Sequence, residues 1–155
     1  MNARAFEHAA GIGFGPTCLP VVWRSQSVAS GKEDRMRIML VDPNITGAMT
    51  DKMVAAAQRV IPYADVLGVT ARHGVAALEG CRDHMLGAAA VIEETVARYG
   101  QFDGPMVSCF GGPGLSAARE LTAAPVVGIA EASFLTAMTL GERFSVLTSL
   151  KRGVP

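Results

Sequence analysis

Short apolar runs recur along the chain, separated by intervals long enough for helices. The run at 36–41 (MRIMLV) is almost continuously apolar, which is typical of a strand covered on both faces. Four more runs that end in turn residues or precede a helical stretch are 65–70, 105–108, 125–129 and 143–147. The pattern therefore predicts five strands.

The intervals between these runs carry apolar residues at helical spacing. Residues 49–60 form the first such stripe, which stops before Pro62. A second stripe predicts one face of a long helix that ends at Gly100; its members are Met85, Ala89, Ile92, Val96 and Tyr99. Two shorter helices are predicted, one with a buried stripe over 115–121 and one over 132–140.

Strands that alternate with helices indicate an α/β fold: a parallel sheet with right-handed crossovers and helices on both faces. The carboxyl ends of such strands meet at one rim, and ligands bind in the crevice outside it. Five residues fall on the turns predicted at that rim: Asn44, Glu79, Cys109, Glu131 and Thr148. We expect the function of the chain to lie there.

Residues 1–35 differ in composition from the rest of the chain. Glycines and prolines interrupt residues 11–20, and a polar run fills 24–35. We expect a poorly ordered extension here, or the result of a start codon placed too far upstream, with the α/β unit occupying 36–155. The segment only faintly imitates a secretory signal, because Glu7, His8 and two prolines interrupt its apolar part.

The composition excludes several classes of partner. The chain of 155 residues is 50% apolar and has a formal net charge of zero, so no basic excess suggests nucleic acid. No run approaches the ~20 apolar residues that a membrane helix needs. Three cysteines without a CxxC pair predict neither a disulfide framework nor a metal site. We expect reduced thiols, a cytoplasmic location and a small-molecule substrate.

Cys109 is the candidate catalytic residue. It closes the predicted third strand, and the glycine-rich turn 110–114 leads into the next helix. Amides at the start of a helix favour an anion, so we expect the pKa of this thiol to be lowered. The alternative is a structural role, because free cysteine is among the most buried residue types. Asn44 or Thr46 could likewise serve only to cap the first helix.

Five motifs lie at the predicted strand ends and in the turns that follow them. In chain order they are 42–44 (DPN), 78–80 (LEG), 109–115 (CFGGPGL), 125–132 (PVVGIAEA) and 143–152 (RFSVLTSLKR). Together they resemble the aspartate/glutamate racemase superfamily, most closely its hydantoin racemase branch. The resemblance covers 36–155 and corresponds to the first lobe of that fold.

The resemblance implies two similar α/β lobes, with the site between them, and inversion of a carbon beside a carbonyl by two cysteines without a cofactor. Cys109 matches the first-lobe cysteine. The substrate contacts that it implies are Asn44, Glu79, Thr148 and the amides of Gly111, Gly112 and Gly114. Asp42, Cys81 and Gly112 depart from the family pattern, and the second lobe with its cysteine lies beyond this chain.

Inversion needs a base on one face of the carbon and an acid on the other, with donors for the enolate oxygen. We expect a racemase of hydantoins or allantoin-like compounds, truncated to one lobe, whose exposed apolar surface promotes self-association. The alternatives are a non-catalytic half-domain that binds a small acid or another chain, and a decarboxylase or cis-trans isomerase of the same superfamily. Cys81 could replace the second thiol only by reaching the opposite substrate face, and the three histidines have no ligand spacing.

Overall fold

The computed structural model describes residues 35–150, so the extension predicted for residues 1–35 lies outside it except for Arg35. The strands of the described part are β1 Arg37–Asp42, β2 Asp65–Thr70, β3 Gly104–Val107 and β4 Val127–Gly128. All neighbouring pairs are parallel, and the order across the sheet is β2-β1-β3-β4.

Helices connect these strands as the apolar spacing predicts. They are α1 Gly47–Val60, α2 Cys81–Ala97, α3 Leu115–Leu121 and α4 Ile129–Leu140. None of these helices of the described part is both long enough and apolar enough to span a bilayer.

The strand order places helices on both faces of the sheet. The chain steps outward from β1 to β2 and then back across β1 to β3, so right-handed crossovers put α1 and α2 on opposite faces. The next crossover continues in the same direction, and α3 accordingly packs against α2. The predicted α/β fold is confirmed.

The centre of the core is β1, which has a neighbour on each side. Met39 and Val41 are fully buried, and burial of each such apolar side chain contributes roughly 1.5–3 kcal/mol to the free energy of folding. Gly68 in β2 allows α1 to approach, since a Cβ there would lie 2.5 Å from Cγ2 of Val54. The whole buried cluster is Met39, Val41, Val69, Val91, Phe102, Val107, Leu115, Ala118 and Val126.

The side of α2 that the structure buries is not the apolar face that the spacing identifies. Met85, Val96 and Tyr99 of that face are 67%, 55% and 64% exposed. The residues that α2 buries are Gly87, Ala90, Val91, Glu94 and Thr95. The missing side chain of Gly87 allows the loop before α2 to pack closely on the helix, since a Cβ at Gly87 would lie 2.6 Å from Cδ2 of Leu78.

The fifth strand predicted for 143–147 is wrong. Residues 141–150 form neither a helix nor a strand, and Leu147 is 96% exposed. The predicted fourth strand is also shortened, because α4 begins at Ile129 and leaves only two residues to β4. The edge strand β4, with two residues, offers few hydrogen-bond partners, and within residues 35–150 no further strand pairs with it.

Candidate active site

The carboxyl ends of β1 and β3 lie side by side at one rim of the sheet. Val41 is paired with Val107, and the amide of Ser108 donates to the carbonyl oxygen of Val41 over 2.9 Å. Asp42 ends β1, and Cys109 follows β3 by two residues, so both reach this rim. The rim is the one at which an α/β sheet binds ligands.

Cys109 is a free, half-buried thiol. Burial raises its pKa; the amide of Gly111 lowers the pKa, the charge of Asp42 raises it, and the amide of Gly112 lowers it. The net direction is upward, so the lowered pKa predicted from the sequence is wrong. Two amides do not offset the loss of solvent around the thiolate. At neutral pH the side chain is therefore a protonated thiol.

Glycine is required twice in the turn that follows Cys109. Gly112 and Gly114 have φ values of 60° and 69°, in the left-handed region that favours glycine. A Cβ at Gly114 would also lie 2.8 Å from the carbonyl oxygen of Ala88 in α2. The turn is thereby held against α2, and this contact fixes the backbone beside the thiol.

One amide of this turn already has a hydrogen-bond partner within it. The amide of Gly112 donates to the carbonyl oxygen of Cys109 over 2.9 Å and closes the turn. The amides of Gly111 and Gly112 also act on the sulfur, since both lower its pKa. Their contact with a substrate oxygen, like that of Gly114, stays a prediction.

A fully buried carboxyl group ends β1 at this rim. Asp42 accepts the amide of Asn44 over 3.3 Å and the hydroxyl of Thr50 over 3.0 Å, and the hydroxyls of Thr50 and Thr70 are 2.7 Å apart. Burial raises the pKa of Asp42, and the hydrogen bonds from Asn44 and Thr50 lower it less. The rim therefore holds two acids, Asp42 and Cys109, whose negative charges would repel each other.

His84 is a residue of this rim that the sequence interpretation missed. It lies on the first turn of α2, and a Cβ built on Gly111 would lie 3.0 Å from its Nδ1 and 4.0 Å from Sγ of Cys109. The imidazole and the thiol therefore both lie close to Gly111. Metal-ligand spacing was the wrong criterion for this histidine. Its place at a helix start just after the LEG motif was the available signal.

Asn44 and Thr46 shape the turn between β1 and α1. Asn44 is buried; its Oδ1 accepts the amide of Thr46 over 2.8 Å, and its Nδ2 lies 3.3 Å from Sδ of Met49. Thr46 is the N-cap residue, but its hydroxyl donates to the carbonyl oxygen of Ala76 instead of capping the helix. The Asn44 side chain therefore contacts its own turn, and a substrate contact from it stays a prediction.

The remaining predicted residues lie on the surface. Glu79 is exposed in the loop before α2, and Thr148 is exposed in the irregular stretch 141–150. Among the described residues, no hydrogen bond joins either of them to Cys109. Glu131, in the first turn of α4, forms an ion pair with Arg119 of α3.

Three further observations concern the hydroxyl groups, the possible metal ligands and the thiols of the described part. The hydroxyl of Ser108 is buried beside Cys109 and has no hydrogen-bond partner within residues 35–150. Across the same residues, no group of three histidine, cysteine or acidic side chains could hold a metal ion. Cys81, the first residue of α2, is an exposed free thiol.

Comparison with known proteins places the chain in one family. A family model for Asp/Glu/Hydantoin racemase matches residues 38–155. The hydantoin racemase of Pseudomonas sp. (strain NS671) is 40% identical over 121 residues, which are 76% of this chain and 48% of that protein. The hydantoin racemase of Paenarthrobacter aurescens is 36% identical over 120 residues, which are 76% of this chain and 51% of that protein.

A solved structure agrees with these relatives. The allantoin racemase from Klebsiella pneumoniae is 41% identical and superimposes with a TM-score of 0.72, covering 77% of this chain and 49% of that one. This chain thus spans about half the length of the curated relatives it matches. With a family model that covers most of its length, the chain belongs to the Asp/Glu/hydantoin racemase family.

Proposed function

We propose that this chain supplies the first acid–base thiol of a racemase that inverts the carbon beside a carbonyl in a hydantoin or allantoin-like ring. The observation that carries the proposal is the position of Cys109, a half-buried free thiol just after the carboxyl end of β3, followed by the glycine-rich turn. The relatives that the chain matches, two hydantoin racemases and an allantoin racemase, support the choice of substrate class.

Before the reaction Cys109 is in the protonated form, in which it can act as an acid. Because burial raises its pKa, the thiol is protonated at neutral pH and can deliver its proton to the enolate carbon. The S–H bond breaks, the enolate electron pair forms the new C–H bond, and the sulfur becomes a thiolate beside the amides of Gly111 and Gly112. In the base direction the thiolate removes the α-hydrogen and the electron pair moves onto the carbonyl oxygen.

Both half-reactions are proton transfers, so the proposed reaction needs no cofactor. Inversion also needs a group on the opposite face of the substrate, and we propose that a second cysteine from outside these 155 residues supplies it. A reducing, cytoplasmic location fits both described cysteines, Cys81 and Cys109, which are free. Self-association through exposed apolar surface is a further part of the proposal.

Deuterium exchange tests the role of Cys109 without requiring full inversion. One enantiomer of a 5-substituted hydantoin is incubated with the chain in D₂O, and loss of the α-hydrogen signal is followed by NMR. Cys109→Ala should lower the exchange rate by about 100-fold or more, the usual contribution of a positioned acid–base group. Cys81→Ala is the matched control, because it removes an exposed thiol at the start of α2.

Exchange that persists at the wild-type rate in Cys109→Ala would exclude this thiol as the base. Complete inversion of the enantiomer by the chain alone would instead contradict an external second group. The two outcomes are read from the same sample, since NMR gives the exchange and chiral chromatography gives the inversion.

A further inference from the structure

The rim has a second titratable side chain that the proposed reaction does not use. The His84 imidazole is half-buried and packs against Gly111, in the turn whose amides act on the thiol. Its Nδ1 and Cε1 lie 3.0 and 2.9 Å from the point where a Cβ of residue 111 would stand, and Sγ of Cys109 lies 4.0 Å from that point. The distance between Nδ1 of His84 and Sγ of Cys109 is therefore at most the sum of their distances from that point, about 7 Å.

The charged neighbours of this pair are few among the described residues. From β1, Asp42 faces the thiol. On the turn that carries His84, Arg82 and Asp83 pair with each other over 3.3 Å, and the Arg82 side chain is 79% exposed. Asp83 also accepts the amide of Glu79 from the preceding loop. The His84 imidazole packs directly on this turn at Gly111 and can donate a hydrogen bond.

The chemistry of the rim calls for such a donor. A thiolate that removes an α-hydrogen leaves negative charge on the carbonyl oxygen, and an oxyanion needs donors aimed at it. The amide of Gly112 is engaged by the carbonyl oxygen of Cys109, at 2.9 Å. A side chain on a neighbouring element can supply a further donor for the substrate oxygen.

We infer that His84 contacts the substrate and donates a hydrogen bond from its imidazole to the enolate oxygen that forms as Cys109 removes the α-hydrogen. This inference rests on the proposed function. In this step the C–H bond breaks, an S–H bond forms and the electron pair moves to the oxygen, while the imidazole keeps its proton. In a five-membered ring the α-carbon and its carbonyl are adjacent, so one ring can face both side chains.

Variants of His84 test the donor role by the same exchange assay. His84→Ala should lower the rate of α-hydrogen exchange by about 100-fold, as removal of one oxyanion donor does. His84→Asn places an amide N–H near the position of Nδ1 and should restore most of the rate. His73→Ala is the matched control, because it removes an exposed histidine from the loop after β2.

The outcomes separate this inference from the proposed function. An exchange rate in His84→Ala equal to that of the wild type overturns the role of His84. Exchange that is insensitive to Cys109→Ala overturns the proposed function instead. Circular dichroism of each variant checks that the fold is kept, and the Asn variant separates a lost donor from lost packing.

Discussion

At the scale of single residues, the negative charge of Asp42 is one cause of the raised pKa of Cys109. Burial is the largest cause of the raised pKa of Cys109, and the carboxylate of Asp42 adds to it. Asp42→Asn removes the charge while keeping its hydrogen bonds, because the hydroxyls of Thr50 and Thr70 can each donate or accept. We expect the pKa of the thiol to fall, so that more thiolate is present at any pH below it. The alkylation rate of Cys109 by iodoacetamide at a mildly alkaline pH should rise.

Asp103→Asn is the matched control for this prediction. Asp103 precedes β3 at the opposite end of the sheet, where it pairs with Arg37, so the substitution changes net charge equally but far along the strand from the thiol. Equal alkylation rates in the wild type and in Asp42→Asn would show that the buried carboxylate does not act on Cys109.

The residues of the site differ in how far the sequence could predict them. Cys109 and its glycine turn are adjacent in the chain, so the end of a strand and the turn that follows could be predicted together. His84 and Asp42 reach the thiol from α2 and β1, and their proximity depends on the strand register and on the missing Cβ of Gly111. The predicted direction of the pKa shift of Cys109 was wrong for the same reason, because the burial of its thiol depends on residues distant in sequence.

At the scale of elements, a buried carboxylate fastens α2 to the loop after β2. Glu94 is fully buried and accepts hydrogen bonds from Arg72 in that loop, over 2.8 Å, and from Arg98 one turn later. Burial raises the pKa of Glu94, but the hydrogen bonds and charges of the two arginines outweigh it, and the pKa is lowered overall. Glu94→Gln should reduce the free energy of unfolding by about 3 kcal/mol, measured by urea denaturation at neutral pH.

The pH dependence of this loss follows from the sign of the shift. A carboxyl group whose folded pKa is below its unfolded pKa stabilises the fold fully above the unfolded value and loses this effect as the pH falls through the folded one. The difference between wild type and Glu94→Gln should therefore shrink below about pH 4. Glu93→Gln, at the exposed neighbouring position of α2, is the control. A difference that is constant with pH would assign the loss to packing.

The order of elements was predictable, because alternation of apolar runs with helical spacing persists from residue 36 to residue 140. The strand at 65–70 matches its predicted bounds, and β1 is displaced by one residue. The face of α2 could not be predicted, since Gly87 and Glu94 are buried through close approach and ion pairing, neither of which apolarity reports. The strand proposed at 143–147 failed because its apolar residues find no strand to pair with in the described part.

At the scale of the whole molecule, helix α4 presents an exposed apolar surface. Helix α4 is the most apolar of the helices and buries none of its residues. Leu135, Met138 and Leu140 are 66%, 66% and 83% exposed. Phe134 makes an edge-to-face contact with Phe110 at a centroid distance of 5.9 Å and stacks on Phe144 at 5.7 Å. The aromatic contacts of α4 thus join it to the glycine turn and to the irregular stretch.

Exposed apolar side chains of this kind favour association in water. We therefore expect the chain to form concentration-dependent oligomers, seen as a rising mean sedimentation coefficient when the loading concentration is increased. Leu135→Lys combined with Met138→Lys should weaken that association by about tenfold or more, because it charges the centre of the surface. Val60→Lys is the matched control, since Val60 is 78% exposed at the end of α1, away from α4. A single monomeric species at every concentration would exclude α4 as an association surface, and equal weakening by Val60→Lys would assign the effect to added net charge.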